Sequence, residues 1–188
     1  MRNNGFWRDF AQHADSLAKE VASGSEREAL DSIDGLLKAH NLDLCFDITS
    51  DEDGYTLIFS PEGQASDAII IDQLLKDAPD LANWKFWGRR QKKELEDAAA
   101  IVWNLYALNP LQMRFRLLNE NSGQVVEMII PSNSDLTPEE SNGMINTFLW
   151  HAIGEARVIE QGMRGKVTFQ DSPSTPTISA AQLLTCVG

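Results

Sequence analysis

The chain has 188 residues, 43% of them apolar, which is enough to bury a core and excludes a disordered protein. Its formal net charge of −12 argues against nucleic acid or an anionic membrane as partner, because the field of the whole molecule would repel both. Two cysteines, Cys45 and Cys186, lie outside any CxxC pair, which excludes a zinc site or a thioredoxin-like motif and suits reduced thiols in a cytoplasm.

The opening stretch, MRNNGFWRDF, carries no apolar h-region, so no secretory signal is expected. The longest apolar runs, Ile69–Ile71 and Ala98–Trp103, fall far short of a bilayer span. Gly5–Ala22 reads as an amphipathic helix, with Phe6, Trp7, Phe10, Ala14 and Leu17 on one stripe. Ser23-Gly24 ends it. Ser25-Glu26-Arg27-Glu28 has the form of a capping box, and opens a second helix that packs on the first as an αα-hairpin.

Leu42–Ser60 is a β-hairpin pattern. Leu42, Leu44, Phe46 and Ile48 alternate before an acidic turn, and Tyr55, Leu57 and Phe59 alternate after it. Ser66–Asp77 reads as a short helix stopped by Ala78-Pro79. Trp84–Arg90 reads as a strand, with Gly88 marking a bulge.

Lys92–Leu108 is the clearest helix, with Leu95, Ala98, Ala99, Val102, Leu105 and Tyr106 on one stripe. Gln112–Leu118 and Gln124–Ile130 form a second hairpin around Asn119–Gly123. Thr137-Pro138-Glu139-Glu140 combines a cap, a first-turn proline and a capping-box glutamate, and starts a helix that runs to about Ile153. Gly154 suits its C-cap. Arg157–Gln161 and Lys166–Gln170 read as strands, and Ser179–Cys186 as a last short helix after the Ser/Pro-rich Ser172–Pro176.

The order helix, strand, strand, helix, strand occurs twice. Equivalent starts (Asp43 and Gln112, Gly54 and Gln124, Ser66 and Pro138, Trp84 and Arg157) are offset by 69 to 73 residues. The expected fold is therefore α+β in two layers, an antiparallel sheet with helices on one face, built from two αββαβ units. The expected division is an N-terminal helix over 1–24, a first unit over 25–91, a second over 92–171 and a tail over 172–188.

Several phrases resemble an uncharacterised family of small bacterial proteins, a domain of unknown function. They are Phe6–Phe10 (FWRDF), Leu57–Gly63 (LIFSPEG), Ala78-Pro79 with Leu81 and Trp84, Phe86 with Arg89 and Arg90, and Ala152-Ile153-Gly154-Glu155. Ala156 and Arg157 stand where that pattern places aromatic or acidic residues. The resemblance implies a bacterial source and carries no activity with it.

Catalytic signatures are missing: the chain has no GxSxG, SxxK, P-loop or GxGxxG. His151 and Glu155 stand at i, i+4, but Gly154 breaks the helix between them. Asp51, Glu52 and Asp53 could offer oxygen ligands, yet the spacing is not an EF-hand and a solvated turn is the simpler reading. Cys45 lies in a strand with no base nearby in sequence. No metal, cofactor or catalytic residue is assigned.

Trp84–Lys93, WKFWGRRQKK, concentrates aromatic residues and cations in an otherwise acidic chain. Such a mixture marks interface hot spots. Alternation puts Trp84 and Phe86 on the core face and leaves Trp87 exposed, so Trp87, Arg89, Arg90 and Lys92 are the candidate partner-binding residues. A buried strand followed by a basic helix start is the plainer alternative. The leading expectation is a cytoplasmic, non-enzymatic protein, monomer or homodimer, that binds a basic protein partner as an immunity protein or chaperone does. The other is a ligand binder or enzyme with its site at the seam between the repeats.

Overall fold

A computed structural model describes residues 4–120 and 123–187. Contacts divide the chain into two units, Met1–Arg89 and Arg90–Gly188. No helix among the described residues is long and apolar enough to cross a membrane.

In the first unit α1 (Asn4–Ala22) and α2 (Glu26–Ala39) are followed by β1 (Cys45–Asp51), β2 (Gly54–Ser60), α3 (Ala65–Leu75) and β3 (Trp84–Trp87). β1 and β2 pair antiparallel, closed by Asp51 opposite Gly54. β3 joins β2 in parallel, so the sheet is mixed, in the order β1-β2-β3. A helical crossover such as α3 returns the chain in the direction it left, which requires the parallel junction. Phe6, Trp7 and Phe10 of α1 meet Ile33 and Leu37 of α2, Leu57 and Phe59 of the sheet, and Ile71 and Leu74 of α3 in one core. Two tryptophan N–H groups are satisfied inside it, Trp7 by the Leu74 carbonyl at 2.7 Å and Trp84 by the Ala14 carbonyl at 3.1 Å.

The capping box at Ser25 is not formed. Ser25 sits at φ −88°, ψ 45°, its backbone N–H donates to the Glu20 carbonyl at 2.9 Å, and its side chain makes no cap bond. The short link ties Ser25 back to the last turn of α1, away from the extended geometry a cap needs. β3 is shorter than its sequence pattern and ends at Trp87. Gly88 lies beyond the strand, where a Cβ would stand 2.7 Å from Leu75 Cδ1 and 3.0 Å from Ile71 Cγ2, so it permits the approach of α3 and marks no bulge.

The second unit runs α4 (Leu95–Tyr106), a 3-10 turn (Pro110–Gln112), β4 (Arg114–Glu120), β5 (Gly123–Ile130), α5 (Pro138–Leu149), a π turn (Trp150–Gly154), α6 (Glu155–Glu160), β6 (Arg164–Phe169) and α7 (Ala180–Val187). β4 and β5 pair antiparallel and β6 joins β5 in parallel, in the order β4-β5-β6. Asn121 and Ser122 of the expected turn lie outside the described residues. The capping box of α5 forms as expected. Thr137 Oγ1 accepts from the Glu140 N–H at 3.2 Å, and Glu140 accepts from the Thr137 N–H at 2.8 Å.

The expected strand at Arg157–Gln161 is instead the short helix α6. The chain leaves α5 through the π turn and breaks at Gly154, with φ +95°. It then resumes helix, so that Val158 enters the core. Its end is closed by the N–H groups of Gly162 and Met163 on the Ile159 and Val158 carbonyls. The final strand of the unit is thus β6. Leu105, placed on the core stripe of α4 by spacing, is 65% exposed, while Ala98 and Val102 face the core. The segment after Gln170 is not a detached tail. Ile178 exchanges two backbone hydrogen bonds with Phe115 at 2.9 Å each, and Leu183 and Val187 of α7 are core residues.

The two sheets correspond closely. Gly54 at φ +124° and Gly123 at φ +128° open the middle strands 69 residues apart. A Cβ at Gly54 would stand 2.7 Å from the Asn83 carbonyl oxygen, and one at Gly123 2.5 Å from that of Gly162. Each sheet therefore seats its third strand against a glycine that admits the incoming backbone. The second pair of carbonyls is 79 residues apart, so the crossover of the second unit, with α5, the π turn and α6, is about ten residues longer.

Candidate functional site

Four residues were expected at a binding surface. Trp87 and Arg89 belong to the first unit, and Arg90 and Lys92 to the second. Trp87 is 40% exposed, on the face of the sheet opposite Trp84 and Phe86. Phe86 packs on Trp7 and Phe10, with ring centroids at 4.6 and 5.4 Å. Lys85, on the same face as Trp87, pairs with Asp53 at 3.2 Å. Arg89 lies 3.1 Å from Asp72 and also donates to the Gly88 carbonyl.

Arg90 is held in place and is not a surface cation. Its side chain is 11% exposed, with one guanidinium nitrogen 3.9 Å from the fully buried Glu155 carboxylate and Cζ 5.1 Å above the Trp150 ring. The main chain of Arg90 is also bound to Glu155 through both its N–H and its carbonyl. The Glu155 carboxylate accepts from the Arg90 N–H at 3.0 Å, and the Glu155 N–H donates to the Arg90 carbonyl at 3.1 Å. Glu155 thereby ties the approach to α4. Lys92 is exposed, and its Cβ lies 3.5 Å from where a Gly154 Cβ would stand. Among the described residues no group of three His, Cys, Asp or Glu side chains could hold a metal ion.

The acidic turn of the first hairpin orders itself. Asp51 accepts from the Asp53 N–H at 2.8 Å, and Asp53 holds Lys85. It borders an open hollow of about 610 Å³ with Tyr55 and Asn83. His13 meets the Asp9 carbonyl at 2.8 Å, and His40 meets the Asp9 carboxylate at 2.9 Å, both on the αα-hairpin.

Two features escaped sequence reasoning. The first is Glu127, in the middle of β5 and 4% exposed. It accepts from Arg116 at 2.9 Å and from the Thr168 hydroxyl at 2.6 Å, with Lys166 at 3.7 Å. Burial pushes its carboxyl up, but the Thr168 hydroxyl and the two cations outweigh that and hold it below the ordinary carboxylate range. The signal for it was a lone glutamate inside the apolar run Val125–Ile130, opposite an arginine at hairpin register.

The second is an apolar groove on the second unit. Ala107, left-handed at φ +54°, ends α4. Asn109 then caps the 3-10 turn through the Leu111 N–H at 3.0 Å. This local geometry brings Leu111 back beside Trp103. A groove of about 370 Å³ results, lined by Ala99, Ala100, Trp103 and Leu111 with Glu96 and Asn109 beside them. Trp103 is 54% and Leu111 39% exposed. Trp103 ends one of the apolar runs noted above, and helical spacing alone does not separate it from the core stripe.

No protein-family model, curated protein or solved structure matches the chain.

Proposed function

We propose that this is a cytoplasmic bacterial protein that acts by binding a basic protein partner, in the manner of an immunity protein or chaperone, and performs no chemistry of its own. The observation that carries this reading is the groove beside Trp103 and Leu111. A half-exposed tryptophan next to an exposed leucine presents apolar surface that the core of the second unit does not use, and buried aromatic anchors dominate binding energy at interfaces. The net charge of −12, with Glu96 and Asp97 in the first turn of α4, supports a basic partner. Neither Cys45 nor Cys186 is in a disulfide, which supports a reducing compartment.

The test is capture of the partner from a lysate of the source cell by the wild-type protein and by the Trp103→Ala/Leu111→Ala variant, each at low and at high salt. The expected result is one stoichiometric basic protein, bound at low salt, weakened at high salt and lost in the variant. Capture of the same protein by the variant would place the interface elsewhere. Trp87→Ala serves as the comparison, because that exposed tryptophan lies on the surface first expected from sequence.

A further inference from the structure

The two sheets differ at one edge. In the second unit the outward backbone groups of Phe115 on β4 are occupied, since its N–H and C=O both bind Ile178. Phe46 holds the same place on β1. The hairpins close on equivalent pairs, Asp51 with Gly54 and Glu120 with Gly123, and Phe46 and Phe115 lie equally far from them. Hydrogen-bonded and non-hydrogen-bonded pairs alternate along an antiparallel ladder, so Phe46, Ile48 and Ser50 turn their backbone groups outward as Phe115 does. Among the described residues those groups on Phe46, Ile48 and Ser50 have no partner.

An open edge strand is a template for another strand, and proteins blunt such edges with Lys, Pro or very short strands. β3 has four residues and carries Lys85, and β6 carries Arg164 and Lys166. β1 is a full seven residues, CFDITSD, with no Lys, Arg or Pro.

We propose that β1 pairs antiparallel with β1 of a second copy of this chain, about a twofold axis at Ile48. That register sets Ile48 against Ile48 and Phe46 against Ser50 of the other copy, twice over. Each pair exchanges two bonds, and all outward groups of the three residues are then satisfied. Side chains agree with the same register. Asp47 meets Thr49 and Cys45 meets Asp51, so no carboxylate faces a carboxylate, whereas a twofold axis at Asp47 would oppose that residue to itself. Ile48, on the helix side of the sheet, meets an apolar equal. The product is a continuous sheet of two β3-β2-β1 halves, an isologous dimer. This inference is independent of the groove on α4.

The experiment is sedimentation of the full chain over a range of protein concentration at low and high salt, with hydrogen exchange read at single amides. A dimer is expected that tightens with added salt, because each copy carries −12 and screening relieves the repulsion. The amides of Phe46, Ile48 and Ser50 should gain protection as the dimer forms. Ser50→Pro removes an outward N–H that the β1–β2 ladder does not use. It should weaken the dimer on the order of tenfold or more while thermal unfolding of the monomer is kept. Thr49→Glu, at an exposed position, sets a carboxylate against Asp47 of the other copy and should act in the same direction. A chain that stays monomeric throughout would overturn the proposal. So would a dimer that both variants leave intact, protection of the three amides in the monomer, or an edge filled only by an extended segment of a different protein.

Discussion

Ile58 and Glu127 occupy the same place in the two sheets, each the fifth residue of its middle strand. Around them the neighbours correspond and the chemistry does not. Ile58 stands opposite Asp47 and beside Trp87, whereas Glu127 stands opposite Arg116 and beside Lys166. One residue away, on the helix side, both sheets carry only apolar groups, Leu57 and Phe59 in one and Val126 and Met128 in the other. The helix-side face is constrained by the need to bury a core. The opposite face is free to hold an aliphatic–aromatic pair in one unit and an ion network in the other. The topology rests on glycines and core stripes, and differences in function must be sought on the second faces, the edges and the helix surfaces.

The equivalence of the two units can be broken at its glycines, where the largest effects are expected. Gly54→Ala and Gly123→Ala each place a Cβ against a backbone carbonyl at positive φ. Each should cost about 3 kcal/mol or more in urea unfolding. Similar losses would sharpen the correspondence, and a loss at only one would break it.

The difference between the second faces is tested next. Glu127→Gln leaves Arg116, mostly buried, without its carboxylate, and should cost about 2 kcal/mol at neutral pH. The native carboxyl lies below its unfolded value, so the unfolded chain takes up the proton first. Its stabilisation is therefore complete above the unfolded value of about 4.3 and is lost as pH falls from there through the folded value. Urea midpoints measured across that range should fall in the wild type and fall less steeply in Glu127→Gln. Asp9, lowered chiefly by the His40 hydrogen bond, and Glu140, lowered by Thr137, keep part of the slope in the variant.

The smallest effect compares two helix starts with the same sequence signature. Thr137→Ala should cost about 1 kcal/mol, whereas Ser25→Ala should leave stability nearly unchanged because Ser25 makes no cap bond. A similar loss at both, seen in thermal or urea unfolding, would mean that Ser25 caps α2 in solution.

These pairs also show where the sequence could be read. Alternation in Leu42–Ser60 placed the first hairpin and its buried face, since a period of two survives whatever lies across the sheet. Thr137-Pro138-Glu139-Glu140 located α5 because its signals are all local. Arg157–Gln161 misled because a six-residue helix is too short for its period to declare itself, and its one buried apolar anchor, Val158, is a strand former. The parallel seating of β3 and β6 depends on contacts far along the chain. Trp103 and Leu105 both fall close to the core stripe of α4, so their exposure depends on how much of the helix is covered. Arg90 read as a surface cation because no local pattern announces that Glu155 receives it.

The bridge between Phe115 and Ile178 has a consequence for the order of events during synthesis. Every strand and helix that completes the first unit has left the ribosome once Arg89 is clear of it. The second unit cannot close the β4 edge until the residues around Ile178 emerge, 63 positions after Phe115, their partner on that strand. For that interval β4 is a nascent strand with an uncovered flank. There, as along the open edge of β1, a translating cell would need pausing or chaperone cover to keep neighbouring nascent chains apart.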